Sequence, residues 1–205
     1  LKSINIPNNV TDIGESSFCG CSSLKSVNIP SGVTSIGELA FKDCRNLANF
    51  NIPSKVTYIG KEAFAGCPGP VSMVIPSSVL SVGDNAFNCP NLTKIEIQEG
   101  SKPLHGGSAC FPNVKDAVIN RSTSGAIFVN LSKNGSYKSA KLENVSIGNG
   151  CSSIGEMLFG LCTELTSIKL PNGVTSIGDA AFGSCSSLTS IRIPANVTSI
   201  GNRAF

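Results

Sequence analysis

One spacing governs this chain: an ordered run of residues returns every 23 positions. Beginning at Leu1, the run L-x-x-I-x-I-P-x-x-V-T-x-I-G-x-x-x-F-x-x-C starts again at Leu24, Leu47, Pro70 and Leu92, and then at Leu142, Leu165 and Leu188. One unit is a residue short, because Cys89 follows Phe87 more closely than Cys67 follows Phe64. A repeat of this length is one supersecondary unit that buries its apolar face by stacking on its neighbours.

Within a unit such as Leu24 to Ile29, Val27 and Ile29 alternate with polar residues, the period of a strand with one buried face. The proline that follows (Pro7, Pro30, Pro53, Pro76, Pro171, Pro194) has no N–H to donate, so it ends the strand. A second extended piece, Val33 to Ile36, carries two more inward residues to a glycine (Gly14, Gly37, Gly60, Gly83, Gly155, Gly178, Gly201). That glycine is expected to be left-handed or closely packed. Glu38 to Phe41 reads as a single helical turn with its aromatic inward, and the coil closes at Cys44.

One coil cannot stand alone. It offers about seven inward side chains at roughly 1.5 to 3 kcal/mol each, against an ordering cost of roughly 1 to 2 kcal/mol per residue. Stacking must supply the rest, in two expected columns: Ile6, Ile29, Ile52, Ile75, Ile97, Ile147, Leu170 and Ile193, and Phe18, Phe41, Phe64, Phe87, Phe159, Phe182 and Phe205. The fold class is a β-rich α/β solenoid of about nine coils.

The pattern I-P-x-x-V-T-x-I-G-x-x-A-F-x-x-C resembles the BspA-like, or Treponema pallidum type, leucine-rich repeat, over residues 1–97 and 142–205. The resemblance implies a right-handed superhelix with a parallel sheet on its concave side and short helical turns on the other. It further implies a non-catalytic protein- or glycan-binding module, since such proteins are mostly surface or secreted proteins of bacteria and protozoan parasites with roles in adhesion. An extracellular or cell-surface location follows from the same resemblance. The domain reading is a single solenoid over 1–205, with regular coils at 1–97 and 142–205 and an irregular coil carrying a β-hairpin insertion at 98–141. Bare core positions at both ends read as a fragment flanked by further repeats or domains.

Charge narrows the partners. Only 14% of residues are charged and the net charge is +3, too weak for a nucleic-acid binder. The excess is local: residues 98–141 hold Lys102, Lys115, Arg121, Lys133, Lys138 and Lys141 against Glu99 and Asp116, a balance of +4, while the remaining residues sum to −1. No stretch is long and apolar enough to span a bilayer.

Nine cysteines invite a disulfide framework. Six of them, Cys21, Cys44, Cys67, Cys89, Cys162 and Cys185, share one repeat position, so they are expected to form a structural column of thiols pointing the same way. Such thiols behave as small hydrophobes, and parallel Cβ vectors suit a disulfide badly. Cys151 takes the place of a repeat valine and is expected in the core, while Cys19 and Cys110 are candidates for exposure. Free thiols also leave open an intracellular scaffold in a larger assembly, with a cytoplasmic location, as the alternative function.

Catalytic and metal chemistry find little support. His105 is the sole histidine, so a Cys-His site would have to pair it with Cys110. The simpler reading places Leu104 inward in a degraded repeat, with His105 replacing the usual glycine. The acidic residues are scattered, and the Cys19-x-Cys21 spacing is too tight for a zinc pair. No catalytic residue, metal, cofactor or small-molecule substrate is expected. Seven N-x-S/T sequons, at Asn9, Asn91, Asn120, Asn130, Asn134, Asn144 and Asn196, are few more than such an Asn- and Ser-rich composition yields by chance.

Two surfaces are candidates for a partner, a protein or an anionic glycan. On the concave face the outward stripe runs Asn5, Asn28, Asn51, Val74, Glu96, Ser146, Lys169 and Arg192, beside Ser3, Ser26, Asn49, Ser72, Lys94, Asn144, Ser167 and Ser190. Asn5, Asn28, Asn51, Glu96, Lys169 and Arg192 are its candidate contacts, with a solvated polar ladder as the alternative. The second surface is the insertion, where Arg121, Lys133, Tyr137 and Lys138 suit an anionic ligand. There the alternative is a loop that merely decorates the solenoid.

Overall fold

The computed structural model describes residues 1–132 and 134–205. Nine short rungs pair in chain order in one parallel sheet: Asp12–Ile13, Ser35–Ile36, Tyr58–Ile59, Ser81–Val82, Leu104–Gly106, Thr123–Ser124, Ser153–Ile154, Ser176–Ile177 and Ser199–Ile200. These nine rungs enclose eight turns of the coil. Regular steps match residues 23 apart, as in Ile13↔Ile36 and Ile36↔Ile59.

That ladder is built from the second extended piece of each repeat. The strands that open the repeats pair fully only at the centre, where Ser72–Ile75, Lys94–Ile97, Asp116–Ile119 and Asn144–Ile147 form a four-stranded parallel sheet. Elsewhere among the described residues this row retains one bridge, Ser26↔Asn49. Composition accounts for the N-terminal side: the central strands carry β-branched residues inward, such as Ile95, Ile97 and Ile119, and outward at Val74 and Val118, whereas the outward Asn28, Asn49 and Asn51 fit a pleated surface poorly.

The expected helical turn does not form, and no helix is present among the described residues. The reason lies in where the backbone donors point. Ser16, Phe18 and Gly20 give their N–H groups to Glu38, Ala40 and Lys42 of the next coil at 2.8–2.9 Å, while Ser17, Cys19 and Cys21 reach back three residues to Gly14, Ser16 and Phe18. Donors that alternate between neighbour and self cannot close the ladder of an α-helix. Left-handed residues on both sides of the aromatic, Leu39 (φ 57°) and Asp43 (φ 57°) around Phe41, interrupt it as well. The repeat glycine is therefore not the left-handed residue. Its role is close approach: a Cβ on Gly37 would stand 2.7 Å from the backbone nitrogen of Glu15 in the coil below.

The core is a column of nine phenylalanine rings, Phe18, Phe41, Phe64, Phe87, Phe111, Phe128, Phe159, Phe182 and Phe205. Centroids lie 5.0–5.5 Å apart in regular steps, widening to 6.4 and 6.3 Å on either side of Phe128. Phe111 and Phe128 complete the sequence-based column through the irregular coils, and Ile119 completes the isoleucine column between Ile97 and Ile147. Phe64 is also stacked on Phe50 at 4.2 Å. Because Phe64 is wholly buried, Phe64→Ala is expected to cost about 3–5 kcal/mol. The half-exposed Phe205 should tolerate the same change far better, and equal losses of the two in denaturant unfolding would remove the stacked column as the source of stability.

Candidate functional site

The outward residues of the four-stranded sheet line a groove of about 450 Å³. Its floor is fixed from beneath, since Ile95 and Ala117, one step out of phase, are buried in the core. The strand register places Val74, Glu96 and Val118 side by side in one row and Lys94, Asp116 and Asn144 in the next. Val74 and Val118 remain 44% and 39% exposed.

The second row is satisfied internally. Lys94 Nζ lies 3.7 Å from Asp116 Oδ2, and Asn144 Nδ2 donates to Asp116 Oδ1 at 2.8 Å. Glu96 differs: its carboxylate accepts only a long bond from Asn120 Nδ2 at 3.5 Å, and no cation pairs with it among the described residues.

Of the six stripe residues proposed from sequence, Glu96 alone lines this groove. Asn5, Asn28, Asn51, Lys169 and Arg192 are all exposed but lie outside it, and no hydrogen bond joins the three asparagines into a ladder among the described residues. The two sequence stripes step directly from Glu96 to Ser146 and from Lys94 to Asn144, and so pass over Val118 and Asp116. The signal was the strand-like run 114–119, which supplies the missing rung.

The insertion fares differently. Asn130–Leu131 and Tyr137–Lys138 form a two-stranded antiparallel sheet. It rests against neighbouring coils through Tyr137 Oη, 3.0 Å from Ser108 Oγ, and through Leu131, which packs on Ala109, Ala126 and Val129. Tyr137 and Lys138 are exposed, and Lys133 lies outside the described residues. Arg121, expected on this contact surface, is instead 1% exposed.

Arg121 is enclosed because its coil is short. From Ile75 to Val82 the chain takes seven steps, but from Ile119 to Thr123 it takes four, so the P-x-x-V corner is missing from this coil. The Arg121 side chain leaves this shortened corner and reaches the corner carbonyls of the two coils before it. Its Nη1 donates to Ser77 O at 2.8 Å and Lys102 O at 3.4 Å, and its Nη2 to Val79 O at 2.7 Å and Pro76 O at 3.1 Å. Burial pulls its pKa down, and among the described residues no carboxylate pairs with it and Nε has no partner.

His105 and Cys110 do not form a pair. His105 sits opposite Ser81 on the outer side of the long ladder, with Nδ1 3.0 Å from Ser124 Oγ. It does not replace the glycine, because Gly107 makes the repeat bond to Val82 O at 2.8 Å, as Gly83 does to Ile59 O. Cys110 is fully buried rather than exposed. It stands just before Phe111, where other coils carry Ala40, Ala63 and Ala86, and its thiol lies 3.3 Å from Gly107 O.

All nine cysteines are free. Within the shared column, Cys44, Cys67, Cys89 and Cys162 are buried, and Cys21 and Cys185 are partly so. The Cys44, Cys67, Cys89 and Cys185 thiols each donate to the carbonyl of the preceding coil's phenylalanine, at 3.0–3.3 Å. Burial pushes Cys89 up to about 12 and Cys151 up to about 11. Cys19 alone is exposed. No cluster of three or more His, Cys, Asp or Glu side chains suited to a metal occurs among the described residues.

A family model described as the BspA-type leucine-rich repeat region, in six copies, matches residues 1–117 and 130–205. Similar solved structures include a leucine-rich repeat protein from Bacteroides ovatus, 24% identical over 98% of this chain and 74% of that one, with a TM-score of 0.41. The T. pallidum leucine-rich repeat protein TpLRR is 24% identical over 94% of this chain and 67% of its own, at 0.42. The pneumococcal vaccine antigen PcpA is 18% identical over 96% of this chain and 65% of its own, at 0.47. No curated protein matches the chain.

Two outcomes are expected. Arg121→Ala should destabilise by more than about 3 kcal/mol, because it strands several buried carbonyls. Arg121→Lys should recover little of this, lacking the planar fork; full recovery in chemical unfolding would refute the carbonyl-clamp role. The thiols set an alkaline limit. Well below pH 9 buried Cys89 and Cys151 are protonated in both states, so their stabilisation is complete. As pH rises from the ordinary thiol value of 9.0 toward about 11 to 12, these two thiols ionise in the unfolded chain while buried Cys151 and Cys89 hold their protons, and stability falls. Flat stability across that window, or prompt reaction of more than the exposed and half-buried thiols in the native protein, would contradict the burial.

Proposed function

Because the chain belongs to the BspA-type leucine-rich-repeat family, we propose that it is a non-catalytic binding module that takes a segment of a partner protein on its four-stranded sheet face. The supporting observation is the central groove, where exposed Val74 and Val118 stand on either side of Glu96 among polar side chains. Exposed apolar groups interspersed with polar ones on a rigid sheet face are the usual composition of a protein contact. Surface or secreted location and a role in adhesion are part of the proposal, on the strength of the family's character. An anionic glycan on the insertion has less support, because Arg121 is enclosed and Lys141 is engaged with Asn113 Oδ1 at 2.8 Å.

A scaffold inside the cell is the second reading, favoured by one observation: all nine cysteines are free, the state a reducing compartment maintains. Labelling intact cells with an impermeant reagent separates the two, since a chain labelled only after lysis belongs to the scaffold reading.

The docking face itself is tested by peptides selected from an unbiased library on the whole protein. Their amide-shift footprints should fall on residues 72–75, 94–97 and 116–119, and Val118→Asn should weaken them by about tenfold or more. Footprints confined to the insertion, or to the outer side of the nine-rung ladder, would sink this reading.

A further inference from the structure

We propose that Glu96, held between Val74 and Val118, receives the side chain of a lysine or arginine carried by the partner protein. This rests on the reading of the sheet face as the docking surface and names what that face selects.

Charge in the groove is unbalanced. The groove holds Lys94, Asp116 and Glu96, and the first two neutralise one another across 3.7 Å, with Asn144 holding Asp116 from its other side. Glu96 is left as the unbalanced charge. Its long contact with Asn120 leaves most of its acceptor capacity open to an incoming donor.

The flanks narrow the choice. Val74 and Val118 are the register partners of Glu96 on the two adjacent strands, so each stands one rung, about 4.8 Å, from it. A carboxylate with an isopropyl group on either side matches a side chain that is alkyl along its length and cationic at its tip. Lysine and arginine are built this way, covering apolar surface with their stems while their charged heads find a partner. A purely apolar ligand would cover Glu96 and remove its water without replacing it. An acidic one would be repelled. Toward the C-terminal coils the stripe carries Lys169 and Arg192, both exposed, so the preference for a cation is confined to the central groove.

The test uses the peptides selected on the whole protein, with calorimetry on synthetic copies. Sequences carrying Lys or Arg next to an apolar residue should be enriched, and their affinity should fall about tenfold for Glu96→Gln. Selection on Glu96→Lys should turn to Asp- and Glu-bearing sequences. Because Glu96 is exposed, these variants should melt with the parent. Peptides lost on the Val74→Asn/Val118→Asn double variant but indifferent to Glu96→Gln would overturn the cation site and leave the docking face standing. Enriched peptides indifferent to both variants, or no enrichment at all, would overturn both.

Discussion

The structure depends on the fit of one coil against the next at the spacing of a parallel ladder. Phenylalanine rings 5.0–5.5 Å apart fill the interior over most of its length, and the backbone must come equally close. The absence of a Cβ at Gly37 allows that approach, and the turn N–H groups of Ser16, Phe18 and Gly20 point along the axis to complete it. Each device works only if the neighbouring coil repeats it, so the sequence period is a consequence of packing. The same condition excludes the helical turn, whose donors would have to stay within their own coil.

Between Val82 and Ile154 the repeat is broken and the fit is restored by other means. With one long side chain Arg121 ties the corner carbonyls of the two preceding coils together. The ladder also moves by two residues: Val82 pairs with Gly106, yet Leu104 pairs with Thr123, which pairs with Ile154. An even shift preserves which face each residue occupies. Gly106 brings no side chain to an inward slot, and Ile127 occupies it from the next coil. The stretch outside the family match, 118–129, is this shortened coil.

What was legible in the sequence follows the same division. Where the period holds, positions such as Phe41, Ile36 and Cys44 announce their burial by recurrence alone, and the structure puts all three in the core. Where it fails, recurrence gives no warning. Phe111 and Phe128 belong to the aromatic column but fall off the count, and Cys110 takes an alanine's place without any spacing that reveals it. Arg121 was misplaced because charge in a polar stretch normally means solvent, and only the three missing residues of its coil could have signalled a shortened corner. The helix was misjudged for a different reason: Glu38 to Phe41 has the composition of a helical turn, and the competing bonds belong to residues 22 positions away. The groove was half visible, as Val74 and Glu96 in a stripe whose next member, Val118, lay in the coil the count had skipped.

The shortened coil also shifts the functional argument from the insertion to the sheet. Restoring it places Asp116–Ile119 between Lys94–Ile97 and Asn144–Ile147, which widens the opening strands into a sheet and sets Val118 beside Glu96. At the same time it removes cations from the insertion's surface, with Arg121 enclosed and Lys115 paired to Glu143 at 2.6 Å. The sheet's outward side chains are anchored by inward neighbours, Ile95, Ile97, Ala117 and Ile119, none more than 3% exposed. A partner meeting that face has little conformational freedom to take away before contact is made, and low ordering cost is what lets a modest area bind. The irregularity of the solenoid is thus the physical origin of its most differentiated surface.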